Sequence, residues 1–239
     1  MPSTSGRLFD RYNTLTRRPT VQDPATRKVV FKSLSRVLGP WLPVDRQSRI
    51  LDVGCGEGSL LSFLQECGYR NLDGFDISPE NVDICHKYGF TFVQQFDALR
   101  LAKWTTSERY GAIFALDILE HLPKQTAGDF LQQIRQLLEP GGYAVLQTPN
   151  MGCVFGGYHR YNDLSHEYSL TEKSAIDLLM LAGFQPEAIV IRPAWNATTT
   201  LGHIRELYMR LLHTMVFLAE DSSRPRIPTK NLLIRAVRT

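Results

Sequence analysis

The sequence predicts an α/β fold, a parallel sheet wound with helices on both faces, and three observations carry that reading. From Arg49 onward, short branched apolar runs alternate with stretches of helical periodicity. One of these runs, Ile50 to Val53, passes straight into Gly54, Gly56 and Gly58 and then into the helical spacing of Leu60, Leu61 and Leu64. An acid stands at or just past the end of each of the first four runs: Asp52, Asp76, Asp97 and Asp117.

Taken in order, residues 1 to about 22 are polar and carry Pro2, Arg17, Arg18 and Pro19, so they read as a loosely ordered arm that folds over a ligand. Asp23 can cap a helix that runs to Val37, with Pro24 in its first turn and Gly39-Pro40 as its stop. The glycine unit follows, its helix ending near Cys67 and Gly68. Leu72 to Phe75 form a second strand ending at Asp76, and Ser78-Pro79 opens a helix that closes near Gly89. Phe90 to Val93 read as a third strand and Ala112 to Leu116 as a fourth. A helix covers Gln125 to Leu138 and stops at the turn Pro140-Gly141-Gly142, after which Tyr143 to Leu146 make a fifth strand. Thr148 to Ser169 is too long for a plain turn and marks a functional loop. A helix from Thr171 to Ala182 and strands at Ala188 to Ile191 and Leu232 to Val237 close the pattern. The chain thus divides into residues 1–48, an arm and helix, and 49–239, one domain with a helical insert at about 195–225. In the insert, Leu201, Ile204, Tyr208, Leu211, Leu212, Met215 and Leu218 form an apolar stripe. It suits packing on the domain or on a second copy in a homodimer, with a lid or peripheral membrane contact as the other readings.

The 239 residues, 43% of them hydrophobic, are enough for one sizeable core. A net charge of +3 does not imply nucleic acid, although Arg205, Arg210, Arg224, Arg226, Lys230, Arg235 and Arg238 bias the last quarter. That bias suits phosphate-bearing acceptors and a solvated surface equally. Cys55, Cys67, Cys85 and Cys153 lack metal-type spacing. Reduced thiols, no leader and no spanning segment together predict a cytoplasmic protein.

The loop chemistry narrows the ligand. A dinucleotide site has the spacing G-x-G-x-x-G and brings a pyrophosphate to the helix N-terminus. Here the spacing is G-x-G-x-G, Asp52 and Glu57 bracket the loop, and no Lys or Arg lies between Ile50 and Gln65. A pyrophosphate would meet carboxylates without a compensating cation. S-adenosylmethionine fits better, with its adenosine, its cationic sulfonium and its ammonium. In an open parallel sheet the ligand sits outside the carboxyl ends of the strands. By position, Asp76 would accept both ribose hydroxyls, Asp97 would lie near the adenine amino group, and Asp52 would face the methionine ammonium. Singly, each acid could be a cap or turn residue; four in succession point to a site.

These motifs, L-D-V-G-C-G-E-G, G-F-D-I-S-P, F-D-A-L, A-L-D-I-L-E-H-L and L-L-E-P-G-G-Y, resemble the class I S-adenosylmethionine-dependent methyltransferases in order and spacing from about Arg49 to Ile191. The resemblance implies a Rossmann-like, seven-stranded, mostly parallel sheet with one antiparallel strand near its edge, Leu232 to Val237. It implies cofactor contacts from Asp52, Gly54, Gly56, Gly58, Asp76, Ile77, Asp97, Ala98 and Asp117, and S-adenosylmethionine as methyl donor.

A second group has i, i+3, i+4 spacing: Asp117, Glu120 and His121, which share one face if a helical turn follows the fourth strand. Two carboxylates and an imidazole suit Mg2+ or Mn2+, and His166 in R-Y-N-D-L-S-H-E offers a fourth ligand. The group together with T-P-N resembles the metal site of small-RNA 2′-O-methyltransferases, with Asp117 in place of their first Glu. Ubiquinone-pathway O-methyltransferases share the E-H part, and the loop wording is closest to methyltransferases of glycan and polysaccharide biosynthesis. The sequence therefore points to an O-methyltransferase acting on a sugar hydroxyl of a glycan, nucleotide sugar or lipid-linked saccharide, metal-assisted or with His121, His166 or Asp117 in catalysis. The alternatives are an RNA 3′ terminus or a quinone or catechol as acceptor, and a methyltransferase-like binding module without catalysis. Nucleic acid is the less favoured partner, and a small-molecule or saccharide acceptor the favoured one.

Overall fold

The structure, a computed structural model, describes residues 23–104, 108–220 and 224–239. The expected arm over residues 1–22 lies outside them. Helix α1 (Pro24–Leu38) starts where the sequence places it: Asp23 accepts from the Thr26 amide at 2.7 Å and Pro24 occupies the first turn. The strands are β1 (Ile50–Val53), β2 (Leu72–Asp76), β3 (Gln94–Gln95), β4 (Tyr110–Leu116), β5 (Leu138–Pro149), β6 (Ile189–Pro193) and β7 (Asn231–Val237). They form one seven-stranded sheet in the order β3-β2-β1-β4-β5-β7-β6. The pairs on either side of β1, from β3 to β5, are parallel, whereas β7 runs antiparallel to both β5 and β6.

Helices cover both faces, and the period of two along each strand assigns the core residues to them. Leu51, Val53, Ile113, Ala115, Ala144 and Leu146 face α4 (Ala127–Leu137) and α6 (Glu172–Leu181), meeting Phe130, Leu131, Ile134, Ala175 and Leu179. On the opposite face Ile50, Ala112, Phe114 and Val145 meet α1, α2 (Ser59–Glu66) and α3 (Pro79–Lys87) through Phe31, Leu61, Leu64 and Val82. Burial on both faces explains why the central strands read as unbroken apolar runs.

Three elements differ from the sequence reading. Phe90 to Val93 are not a strand. The Phe90 amide donates to the Cys85 carbonyl and the Val93 amide to the Phe90 carbonyl, so their backbone is used in closing α3, and the strand falls on Gln94–Gln95. Phe90 and Val93 are buried in that turn, which is the origin of the apolar run. The Pro140-Gly141-Gly142 turn lies inside β5, as an irregularity in its pairing with β4 rather than as a break. The long loop holds a short helix, α5 (Gly156–Tyr161). The helical insert is not a fourth difference; it carries one helix, α7 (Thr200–Ala219).

Candidate active site at the carboxyl ends of the strands

β1 ends in the glycine loop, where Gly54, Gly56 and Gly58 all take positive φ. Gly54 has φ +68°, and a Cβ there would lie 2.0 Å from the Ile118 Cδ1. Gly56 has φ +55° with nothing within 4 Å of an added Cβ, because it borders an open cleft. From the next strand Asp76 reaches back: its Oδ2 accepts from the Gly56 amide at 2.8 Å, while its Oδ1 accepts from the Ser78 amide at 2.9 Å and Asn81 Nδ2 at 3.2 Å. The Cys55 and Cys85 thiols both approach the Gly56 carbonyl, at 3.8 and 3.3 Å, and all four cysteines are free.

The cleft outside these strand ends is lined by Gly54, Gly56, Asp76, Ile77, Asp97, Ala98 and Asp117 among the residues expected at the cofactor. It also takes in Asn81, Phe96, Leu99, Ile118, His121 and Leu122. Asn81 was missed, although the Ser78 cap three residues earlier fixes its place: the Asn81 amide donates to the Ser78 hydroxyl and its side chain turns onto Asp76. Two expected residues stand behind the lining. Gly58 packs its α carbon against Cys85 and Phe90, where a Cβ would come within 3.2 Å of each. Asp52 is 3% exposed beneath the loop, its Oδ2 lacks a hydrogen-bond partner, and burial, then the charge of Asp76, push its carboxyl up to about 8. Burial also raises Asp76, against the hydrogen bonds from Ser78, Gly56 and Asn81.

The donors suit S-adenosylmethionine. The Asp76 carboxylate is fixed at the end of β2 with acceptor capacity left for ribose hydroxyls, and the open side of Gly56 admits close approach of a ligand. Asp97 caps the 3-10 turn Ala98–Lys103 through the Leu99 amide at 2.9 Å, which sets Ala98 and Leu99 in the cleft wall beside it.

The second group assembles in part. After β4, a 3-10 turn over Leu119–His121 points Glu120 and His121 toward His166 from the long loop. One ligand atom from each of the three lies within 4.8 Å of the other two. Asp117, the fourth member expected, lies outside this group. Its carboxylate accepts from Gln147 Nε2 at 2.9 Å and Asn231 Nδ2 at 3.4 Å, and its backbone is left-handed at φ 54°. Positive φ and partners on β5 and β7 are not written in local spacing, so spacing alone does not fix where the Asp117 carboxylate lies.

Glu120 is 1% exposed with an unpartnered Oε2, and burial, reinforced by the charge of Asp117, holds its carboxyl well above the usual range. The His121 and His166 rings meet edge to face at 4.8 Å. Ser165 donates to Asp163 Oδ1 at 2.5 Å and contacts His121 Nδ1 at 2.8 Å. Against the pull of burial, the Ser165 hydrogen bonds and the two histidines keep Asp163 below its ordinary value. An ionised Asp163 can only accept, so the single Ser165 proton goes there and His121 Nδ1–H donates to Ser165. In the neutral ring the lone pair of His121 is then on Nε2, and His121 also lines the cofactor cleft.

Sheet order, glycine loop and strand-end acids together define a class I S-adenosylmethionine-dependent methyltransferase. A family profile described as a methyltransferase domain matches residues 25–188, and the chain belongs to that family. Among curated relatives, a ubiquinone biosynthesis O-methyltransferase of Xanthomonas oryzae is 32% identical over 107 residues, 43% of this chain and 44% of the relative. One from Roseobacter denitrificans is 28% identical over 153 residues, 58% of this chain and 60% of the relative. The match therefore spans less than two thirds of either relative. The fold is shared with a SAM-dependent methyltransferase of Archaeoglobus fulgidus, with a TM-score of 0.68, 20% identity, and 95% and 97% of the two chains covered.

Proposed function

We propose that this enzyme transfers the methyl group of S-adenosylmethionine to a hydroxyl oxygen of a small acceptor carrying adjacent hydroxyls on a quinol- or catechol-type ring. One observation carries the reading: His121 belongs both to the cofactor cleft and to the Glu120–His121–His166 group, so a group able to take a proton stands beside the place for the methyl donor. The names of the curated relatives favour a quinone-pathway acceptor over the sugar hydroxyl read from the loop wording, which has only that wording behind it. Exposed Met151, Phe155 and Leu164 on the loop that carries His166 give the acceptor side an apolar character in keeping with a ring.

In this reading the fixed tautomer of His121 presents Nε2 to the acceptor hydroxyl, and Asp163 through Ser165 stabilises the imidazolium as the proton arrives. Asp76 and the glycine loop hold the donor in line with that oxygen, which supplies proximity. The donor set also fits a divalent cation: a buried carboxylate with an orphaned oxygen faces two imidazoles, and the His166 Nδ1 is likewise unpartnered. Glu120, His121 and His166 would hold it, and a bound cation would supply Lewis acidity toward the acceptor hydroxyls.

The test is a labelled-methyl assay against catechols, quinols, nucleotide sugars, oligosaccharides and short RNAs, repeated after chelation. Labelled ether on a catechol or quinol supports the proposal; label only on a sugar or an RNA terminus overturns the acceptor class. Activity lost to EDTA and restored by Mg2+ or Mn2+ assigns the group to a cation, whereas full activity after chelation leaves His121 as the base.

A further inference from the structure

Helix α7 carries an exposed apolar stripe that the site does not use. Leu201, Ile204, Leu207, Leu211, Met215 and Leu218 are exposed, with Leu218 at 72% and Leu201 at 69%. The helix is held to the domain by its other side. Arg36 of α1 forms a two-pronged ion pair with Glu206 at 2.8 and 2.6 Å, Glu206 also accepts from the Ala197 amide at 2.8 Å, and buried His213 donates to the Pro225 carbonyl at 2.9 Å. The apolar side is thus presented outward by a fixed anchor.

The make-up of this face selects its occupant. At ~100° per residue, Leu207 through Leu201 spans about 120° of the helix circumference, wider than the two-position seam of a coiled-coil pair. Tyr208 sits in the stripe with its ring exposed, an amphipathic side chain suited to an interface. Arg205 borders one edge, and His203 and Arg210 follow the other. The single carboxylate of the helix, Glu206, is turned inward onto Arg36. A second copy of α7 would bring two arginine-bordered faces together with no carboxylate to meet them, whereas an anionic lipid surface complements both the width and the charge. No described helix is long and apolar enough to cross a bilayer, so the helix would lie in the plane of the surface.

We infer that α7 docks this enzyme onto anionic lipid bilayers. Contact continues from the helix to the acceptor side. Pro225, which accepts from His213, lies against Gly152, where an added Cβ would be 3.2 Å from the Pro225 Cβ. Gly152 belongs to the loop that carries Ser165 and His166. An apolar acceptor dissolved in the bilayer would thus be met by the loop next to the docked helix. Docking itself is independent of which acceptor is methylated.

The experiment is co-sedimentation of the full chain with vesicles of phosphatidylcholine alone and of phosphatidylcholine mixed with phosphatidylglycerol, alongside light scattering after gel filtration. We expect the protein to pellet with the mixed vesicles and to be released by salt. Arg205→Gln should weaken binding about fivefold, and Leu211→Asp roughly tenfold or more, both with unchanged circular dichroism and unchanged methylation of a water-soluble acceptor. Protein that stays in the supernatant with both vesicle types overturns the inference. So does a dimer in solution that Leu211→Asp converts to monomer, because a second copy then covers the face.

Discussion

Replacing Asp52 by Asn isolates a single buried charge. Asp52 is enclosed beneath the glycine loop with an unpartnered oxygen, and burial plus the neighbouring Asp76 raise its carboxyl from 3.8 to about 8. Below the unfolded value both states hold the proton and the site costs nothing. As pH rises from 3.8 toward about 8, the unfolded chain has released its proton while the folded protein keeps it, so stability falls through that window and levels off above it. At ~1.36 kcal/mol per unit, the cost grows by about 4 kcal/mol between about pH 5 and pH 9. Asn cannot ionise and fills the same space. The Asp52→Asn protein should therefore gain on wild type as pH rises, by about 8–16 °C in Tm over that range for a chain of this size. Differential scanning calorimetry at a series of pH values measures the difference directly. A gap between the two proteins that stays constant with pH would refute the buried, protonated carboxyl.

Other consequences follow from the same geometry. If Asp52 meets the methionine ammonium, cofactor binding near neutral pH should release a proton, seen as a binding enthalpy that varies with the ionisation heat of the buffer. Gly54→Ala and Gly56→Ala should separate stability from affinity. Both strain φ, at about 1–2 kcal/mol in urea unfolding; the first also forces Ile118 away and should cost more than that, whereas the second meets no atom and should show its larger effect in cofactor affinity. Ser165→Ala leaves His121 Nδ1 without its hydroxyl partner and should lower kcat by roughly tenfold or more with cofactor affinity intact, a split visible in steady-state kinetics and calorimetry. Arg36→Ala leaves Glu206 without its guanidinium and should cost about 1–3 kcal/mol and speed proteolysis at α7.

Much of the fold was legible because its signals are local. The branched run Ile50 to Val53, the Asp23-Pro24 and Ser78-Pro79 starts and the stop at Gly183 act within a turn of their own position. β3 was misplaced because Phe90 and Val93 are apolar for packing beneath α3, while the paired residues Gln94–Gln95 form an edge strand with exposed side chains. At the site, Asp76 and Asp97 line the cleft where their places after β2 and β3 put them. Asp117 lines the cleft but stands outside the Glu120–His121–His166 group; local spacing does not carry its place, because Gln147 and Asn231, which donate to it, come from strands distant in sequence and its backbone is left-handed. Ser165 and Asp163, which orient His121, carried no spacing signal, since their partner lies across a long loop.

The claim on which the rest depends is that Asp76 and the glycine loop hold S-adenosylmethionine in the cleft at the strand ends. Isothermal titration of S-adenosylhomocysteine into wild type and Asp76→Asn, with circular dichroism of both, tests it most directly. One-to-one binding to wild type, weakened roughly 10- to 100-fold in a folded Asp76→Asn by loss of charge-assisted hydrogen bonds, is the result we expect. Equal affinity in the two proteins, or no binding to either, would contradict it.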